Sequence, residues 1–524
     1  MNLLGQSLAD AELPLDAALS LRKLGDTRLD QRRYDQARQH LNDAQMLVAQ
    51  AAPSARRHRQ DVDLKVSWGL LERGNDNWEQ AEQWFREAAK LTDRPAVAST
   101  TTAAEQGEEL AQRALVLSML GEVLSRSGRR GEAIECLRTA CQTSERLVRL
   151  DPSHPPHLEE LAFSELCLAQ GLILSGECVE EDALLRRAAQ RFEDLIRRVA
   201  DFPHLRENRA IVLTNRGLLH HRARRNPEAR QLLDEAVAET QRLAASPQAT
   251  PRQFELLAQA YTIRGRILRD LDLGTEADAE FRKALSLFTD VLIPSDAATS
   301  DYQRGVAVAG RHYAVQLERI GEGGEAEQEY TTAIRLLGEL FAKDPQDLPT
   351  LDELASCHES LGDFYRRRQA VEKAFPEYRR AVELRDQLPE EPEYLARRIR
   401  VLLKLGDQPS REQAAALAAK LAALRPNHAA YQTLKALADY QVDNVGGCIA
   451  TLESLPDEDL TSAGAERLFL LAMARHKRNG GGDRERARQD FDQADQWMRR
   501  EAAGDVALIE LRELAAGQLE TRTE

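Results

Sequence analysis

The amino-acid sequence predicts an all-α solenoid built from antiparallel helix pairs. Ala, Leu, Arg, Glu and Gln dominate the composition and favour helices, whereas the β-branched runs that strands need are nearly absent. A four-point pattern of small and large residues also recurs along much of the 524-residue chain. Hydrophobic residues make up 42%, which is typical of globular proteins, so we do not expect a disordered chain.

The recurring pattern consists of one small residue followed by a small, a large and a small residue. In one copy Gly121 is followed by Ala133, Leu137 and Ala140, that is, 12, 16 and 19 residues later. We expect the first small residue to lie midway along a first helix, where it lets the second helix approach, and the large residue to fill the gap between them. Seven clean copies have this spacing, with the first small residue at Gly25, Gly69, Gly121, Gly217, Gly265, Ala314 and Gly362.

A fourth copy in chain order, between Gly121 and Gly217, is irregular. Gly171 and Ala183 fit the pattern, but Arg187 stands where a large apolar residue is expected. The alternative is a register that slips toward Leu185 and Ala188, which makes this copy a candidate bend.

The copies are 44 to 52 residues apart, so we predict long second helices, or an extra turn before the link to the next pair. Residues 1–388 then form an array of about eight helix pairs with a polar, flexible loop near 92–108. Residues 389–524 form looser pairs and a capping helix, because a terminal repeat needs a polar outer face. The predicted C-terminal elements are the pairs 393–424, 429–455 and 463–499 and the helix 501–518.

The Leu-Gly, Ala and large-residue signature resembles the tetratricopeptide repeat (TPR). This resemblance implies a right-handed α-α superhelix that binds proteins or peptides on a concave face lined by the first helices. The long period and turns such as Asp201-Phe202-Pro203 and Asp344-Pro345 are similar to the repeat regions that occur C-terminal to serine/threonine kinase domains, or free-standing, in planctomycete-type bacteria. The second resemblance implies a regulatory or sensory role in such a kinase signalling system, as an alternative to a scaffold or adaptor.

No catalytic motif is found. The sequence has no glycine-rich phosphate loop followed by lysine, no kinase catalytic loop and no Cys/His set with zinc spacing. We therefore expect no cofactor, no metal and no enzymatic activity, with an enzyme that has an unrecognised site as a third alternative.

The net charge and the hydropathy of the sequence restrict the expected partners and the expected cellular location of the protein. The net charge of −15 argues against non-specific binding to nucleic acid. No apolar run is long enough to span a membrane, and the N-terminus lacks the pattern of a secretion signal. Six sparse cysteines without a CxxC pair are typical of a reducing compartment, so we expect a cytoplasmic protein.

The resemblance further implies that side chains one, four and five residues after the first small residue point into the concave face. In the middle and later copies these positions, together with one arginine from the preceding turn, form a basic stripe: His221, Arg222, Arg266, Arg269, Arg311, Arg319, Arg366 and Arg367. One interpretation is a groove for an acidic or phosphorylated protein segment. The other is a solvated helix face whose arginines pair with neighbouring carboxylates, with Asp270, Glu318 and Asp363 close enough to neutralise part of the stripe.

Overall fold

A computed structural model of the protein describes residues 2–30, 33–75, 77–93, 103–172, 178–199, 202–223, 225–295, 300–455, 462–478, 481–501 and 506–520. Within these ranges the chain forms helices joined by turns, and no strand occurs. The predicted all-α fold class is therefore confirmed.

Each copy of the pattern corresponds to a first helix and a second helix. The eight pairs are α1 (Asn2–Asp30) and α2 (Tyr34–Gln50), α3 (Ala55–Gly74) and α4 (Trp78–Thr92), α5 (Ala103–Arg126) and α6 (Arg130–Leu150), α7 (Pro155–Leu172) and α8 (Cys178–Arg198), α9 (Pro203–Arg222) and α10 (Asn226–Ala244), α11 (Pro251–Asp270) and α12 (Gly274–Ser286), α14 (Ser300–Arg319) and α15 (Gly323–Lys343), and α16 (Leu348–Arg367) and α17 (Val371–Arg385). After α12 the chain continues through a π-helical turn (Leu287–Leu292) into the short α13 (Ile293–Ser295).

Seven more helices complete the chain after α17. They are α18 (Pro392–Leu405), α19 (Gln408–Leu424), α20 (Ala429–Gln441), α21 (Val445–Glu453), α22 (Ser462–Arg478), α23 (Gly481–Glu501) and α24 (Val506–Glu520). Helix α24 packs on both α22 and α23.

The first small residue lies near the end of its helix, so the prediction that it lies midway is wrong. Gly121, Gly217 and Gly265 each stand five residues before the end of their helices. The reason is geometric, because a large residue only 16 positions later can be reached only across the intervening turn. The close approach is real at Gly69, where a Cβ atom would come within 2.7 Å of the Phe85 ring.

Among the described residues, the turns that follow the first helices share one backbone hydrogen bond. The N–H group eight residues after the small residue donates to the carbonyl oxygen three residues after it, as in the bond from Arg129 to Leu124 (2.9 Å). The residue immediately before the donor adopts a positive φ, as at Gly128 (74°) and Asp272 (61°). This arrangement is the Schellman motif, which satisfies the last carbonyls of a helix. The same bond and a positive φ at Asp443 (64°) occur between α20 and α21, so this degenerate pair keeps the turn although it loses the sequence pattern.

The fourth copy uses the slipped register. Leu185 and Ala188 are fully buried, whereas Ala183 is only half-buried and the Arg187 side chain is 51% exposed. The interpretation based on Gly171 and Ala183 is therefore wrong, and the alternative is correct.

Burial also identifies the first small residue of this copy as Ala169. It is fully buried and stands 16 residues before Leu185. Gly171 instead faces the preceding pair, where a Cβ atom would come within 2.7 Å of Leu137 Cδ1. With Ala169 as the reference, the copies at 121, 169, 217 and 265 are each 48 residues apart.

Both helices of a pair contribute to the long period of the repeat. The second helices α6, α8 and α15 are long, with 21 residues each, as predicted. The first helices α9, α11, α14 and α16 are almost as long, with 20 residues each, so the long period does not come from the second helices alone. In the predicted loop 92–108, residues 103–108 belong to α5, and residues 94–102 lie outside the described ranges.

The helices group into two compact units. Unit 1 comprises Met1–Ile173, Glu177–Arg216 and Glu239–Gln253, and unit 2 comprises Leu174–Gly176, Gly217–Ala238 and Phe254–Glu524. The boundary predicted between residues 388 and 389 stays a prediction. In the described part of the chain, no helix combines the length and the apolar character that a membrane span requires.

Candidate binding face

All eight residues of the predicted basic stripe lie in unit 2, on four first helices. His221 and Arg222 end α9, Arg266 and Arg269 lie on the last turns of α11, Arg311 and Arg319 on α14, and Arg366 and Arg367 at the end of α16. We call the surface formed by these eight residues the first-helix face of unit 2. Their environments differ, and the difference decides which of them is available to a partner.

Asp270 joins three consecutive first helices of this face. Its Oδ1 atom accepts from Nε of Arg269 at 3.0 Å, and its Oδ2 atom lies 3.6 Å from Nε2 of His221. Arg319 donates from Nη1 to the backbone carbonyl of Arg269 (2.6 Å), while its Nη2 atom is 4.0 Å from Asp270 Oδ1. The carboxylate is therefore engaged mainly by Arg269, and it fixes the positions of the charged groups around it.

Arg311 is held from the other side by Glu353 of α16. Its Nη2 atom lies 3.0 Å from Glu353 Oε2 and 3.3 Å from Nε2 of His312. Burial lowers the pKa of His312 well below its usual range, and the charges of Arg311 and Arg266 lower it further. His312 is therefore neutral at pH 7, and its Nε2 atom can accept the hydrogen bond from Arg311.

His221 is also kept neutral by its surroundings. Burial and the charge of Arg266 lower its pKa, and its Nδ1 atom makes a hydrogen bond of 2.9 Å with Asn226 Oδ1. Neither histidine adds positive charge to the face at neutral pH.

Arg367 behaves as the solvated-face interpretation expects. Its Nε and Nη2 atoms donate to the two carboxylate oxygens of Glu318, at 2.6 and 2.7 Å. This bidentate pair bridges α16 and α14 and occupies the guanidinium group. Asp363 forms no such pair with the stripe, because its Oδ2 atom accepts from Nζ of Lys404 at 2.7 Å, but its charge still helps to raise the pKa of Arg367.

Arg266 has a different environment. Within the described part of the chain it forms no ion pair and no side-chain hydrogen bond, and its Nε atom is buried without a partner. Burial, together with the charges of Arg269 and Arg311, lowers its pKa to about 10. A guanidinium group in this state is still charged at neutral pH, and a bound anion would stabilise it.

Arg366 and Arg222 are exposed, as are Arg319 and Arg367. Arg366 forms no ion pair with any described residue and faces solvent. Arg222 is exposed as well, and its charge helps Arg397 to lower the pKa of Glu393 against the effect of burial.

Sequence reasoning missed two residues of this face, Glu353 and His312. Both precede the first small residue of their copies, at Gly362 and Ala314, whereas the expected positions all follow it except for Arg311. The helical period could have indicated both residues. Side chains that stand three, six or seven, or ten residues before an expected position lie on the same side of the helix as that position. The positions implied by the TPR resemblance lie one, four and five residues after the small residue, so they do not include these earlier turns.

Among the described residues, no group of three or more His, Cys, Asp or Glu side chains is arranged to hold a metal ion. The chemistry of the first-helix face of unit 2 is that of guanidinium groups, which bind carboxylates and phosphates through paired N–H donors.

Comparison with known proteins gives one family match. The tetratricopeptide repeat family matches residues 113–155, which span the end of α5, all of α6 and the start of α7. A search of curated protein sequences finds no match.

Solved structures with helical repeats are similar to the chain at low sequence identity. The apo form of the quorum sensor NprR from B. thuringiensis is 11% identical, with a TM-score of 0.47 over 71% of this chain and 88% of that chain. The Rap conjugation gene regulator of the plasmid pLS20, solved in complex with a peptide, is 12% identical, with a TM-score of 0.44 over 71% and 95%. Yeast Tom70 is 14% identical, with a TM-score of 0.34 over 94% and 98%.

Proposed function

We propose that the protein is a non-catalytic interaction scaffold or adaptor that binds an acidic segment of a partner protein on the first-helix face of unit 2. The observation that carries this proposal is Arg266, a largely buried guanidinium group without a carboxylate partner among the described residues. A folded chain tolerates such a group at a cost in stability, and an anionic ligand would offset that cost.

The surrounding contacts support a binding role for the face. Asp270 and Glu353 hold Arg269 and Arg311 in fixed positions, so little side-chain entropy would be lost when a ligand binds beside them. Exposed Arg366 extends the positive charge along the same face. Because the whole chain carries a net charge of −15, this face is a local exception that would attract acidic segments selectively.

A photo-crosslinking experiment tests the proposal. A benzoylphenylalanine residue replaces Arg366 on the face or, as a matched control, Arg335, an exposed arginine on the second helix α15. After irradiation in native lysate, the crosslinked peptides are identified by mass spectrometry. We expect position 366 to yield adducts on acidic segments that are lost when Arg266 is also changed to Glu. Adducts that are equal at the two positions, or unaffected by Arg266→Glu, would contradict the proposal.

The alternative role as the regulatory region of a kinase signalling system stays a prediction, as does the absence of enzymatic activity. The two roles share the same binding chemistry, so the identity of the crosslinked partner also separates them.

A further inference from the structure

We propose that the centre of this face is a binding site for the phosphate group of a phosphoserine or phosphothreonine side chain. The inference rests on the proposed function, because it assigns the chemical group that an acidic segment would present to the face. The site consists of Arg266, Arg269, Arg311 and Arg319, which we call the central basic cluster.

The charge of the cluster matches a dianion. Arginine stays protonated at neutral pH, so the cluster carries four positive charges. The carboxylates in contact with it are Asp270 and Glu353, which leaves a formal excess of two. His221 and His312 contribute nothing to this excess, because both have lowered pKa values. A phosphate monoester carries close to two negative charges at pH 7, whereas one carboxylate carries a single charge.

The charges next to the cluster cancel this excess only in part, because the one further carboxylate that acts on Arg319 is the exposed Asp272. Arg397 donates from Nη1 to Asp352 Oδ2 at 2.5 Å, and its Nε atom lies 3.4 Å from Glu393 Oε1. Arg385 also acts on Asp352 and Arg222 also acts on Glu393, so cations outside the cluster balance these two carboxylates. Despite burial, Arg311 and Arg397 lower the pKa of Glu353, so this carboxylate stays ionised and keeps Arg311 in place.

The available donors also fit a phosphate group. Arg266 uses none of its N–H groups in a contact with a described residue. The Nε atom of Arg311 is likewise buried without a hydrogen bond, while the same side chain is fixed by Glu353 through Nη2 and also interacts with the Cys357 thiol. Arg269 and Arg319 are anchored through Asp270 and the backbone, which leaves their other N–H groups for a ligand. Phosphate offers three acceptor oxygens to such converging donors, and a carboxylate offers two.

The position of the cluster suits a side chain better than a free anion. Side chains of Arg269 and Arg311 are only 11% and 14% exposed, whereas Arg366 at the end of α16 is exposed. A phosphorylated side chain would reach down to the buried guanidinium groups, and acidic residues beside it would meet Arg366 at the surface.

Fluorescence anisotropy with three labelled peptides tests the site in the full chain. The peptides have the sequence Glu-Ala-Glu-X-Glu-Ala-Glu, in which X is phosphoserine, aspartate or serine. The variants are Arg266→Met, which keeps the side-chain volume and removes the charge, and Arg335→Met as the matched surface control. Circular dichroism confirms that each variant is folded.

We expect the phosphoserine peptide to bind about tenfold more tightly than the aspartate peptide, as charge-assisted bidentate bonds to a dianion imply. This ratio should persist in Arg335→Met and fall to about twofold or less in Arg266→Met, since the uncompensated charge is then lost.

Other outcomes overturn the inference, and each has a distinct meaning. If wild-type protein binds the phosphoserine and aspartate peptides equally, or if the ratio is unchanged in Arg266→Met, the phosphate site is wrong while the proposed binding of acidic segments stands. If no peptide binds at low salt, both proposals fail. If inorganic phosphate competes at the same concentration as the phosphoserine peptide, the site takes a small anion, and the assignment to a protein side chain is wrong.

Discussion

Unit 1 and unit 2 each contain a largely buried charged-type side chain, a carboxyl group in one and a guanidinium group in the other, that lies on a first helix and forms no ion pair with a described residue. In unit 1 it is Glu160 of α7, whose pKa is raised to about 8 by burial and by the neighbouring Glu159. In unit 2 it is Arg266 of α11, whose pKa is lowered to about 10. In both cases burial disfavours the charged form of the side chain, which is negative for Glu160 and positive for Arg266.

A carboxyl group and a guanidinium group respond differently to burial. The carboxyl group of Glu160 can take up a proton near neutral pH, so its burial needs no counter-ion. A guanidinium group with a pKa near 10 keeps its proton at pH 7, so the charge of Arg266 persists unless an anion binds. Only the second site is therefore a candidate for partner binding.

A third residue shows what a counter-ion does to a buried carboxyl group. Glu359 of α16 contacts Lys404 and Arg385 at 2.6 and 2.8 Å. Against the effect of burial, these two cations lower its pKa to about 2. Glu160 and Glu359 are the same residue type on equivalent first helices, yet they are expected to titrate on opposite sides of the usual value.

The largest effect is expected for Glu160→Gln at alkaline pH. The folded-state pKa is raised, so the stability of the wild-type protein falls as the pH rises from about 4.5 to about 8, whereas the variant lacks this fall. At pH 9 we expect the variant to be more stable by about 2–4 kcal/mol. Urea unfolding monitored by tryptophan fluorescence measures this, because Trp68, Trp78 and Trp84 all lie in unit 1.

The matched control is Glu145→Gln, an exposed glutamate on α6. It should leave the difference between pH 5 and pH 9 unchanged. An equal response of the two variants would show that Glu160 is solvated and that the comparison with Arg266 is wrong.

The next largest effect is expected for Lys404→Met in unit 2. The change leaves Glu359 with Arg385 alone, and removes the cation from Asp363, so we expect a loss of about 2–3 kcal/mol. The lowered pKa of Glu359 means that its contribution is present above pH 4.5 and is lost as the pH falls toward 2. Hydrogen exchange of the α16 amides at pH 7 and at about pH 2.5 reports both effects, with Lys420→Met as the exposed control. Equal protection in the two variants would contradict the assigned ion pairs.

A smaller effect of opposite sign is expected for Arg266→Met. Removing a buried charge that forms no ion pair and is repelled by Arg269 and Arg311 should stabilise the unliganded protein by about 1–2 kcal/mol. Thermal unfolding and hydrogen exchange of α11 measure the gain, and Arg264→Met provides the contrast on the same helix. Arg264 pairs with Glu280 at 2.7 Å, so its removal should destabilise. Two losses of stability would mean that Arg266 already has a counter-ion.

The smallest effect on stability is expected for Arg366→Met. The side chain is exposed, so the free energy of unfolding should change by less than about 0.5 kcal/mol. Binding of the acidic peptides should nevertheless weaken severalfold at low salt, and the difference should shrink as salt screens the charge. Unchanged affinity at every salt concentration would confine binding to the central basic cluster.

The sequence was sufficient where small and large residues recur at a fixed spacing. The anchors at Gly121 and Gly265, with their partners Leu137 and Phe281, predict the helix pairs because each contact is local, 16 residues apart across one turn. The fourth copy could not be settled this way. Gly171 and Ala169 are both small, and only the burial of Leu185 shows which of them faces the second helix.

The sequence by itself therefore determined an all-α repeat architecture and the residue types that form the basic stripe. The tertiary structure decided which arginine of that stripe is neutralised. Arg311 finds Glu353, which is 42 residues away in the sequence, and Arg367 finds Glu318, which is 49 residues away. Arg266 finds no such partner among the described residues. Pairing between neighbouring first helices depends on how the repeats stack, and a local pattern within one repeat does not contain that distance.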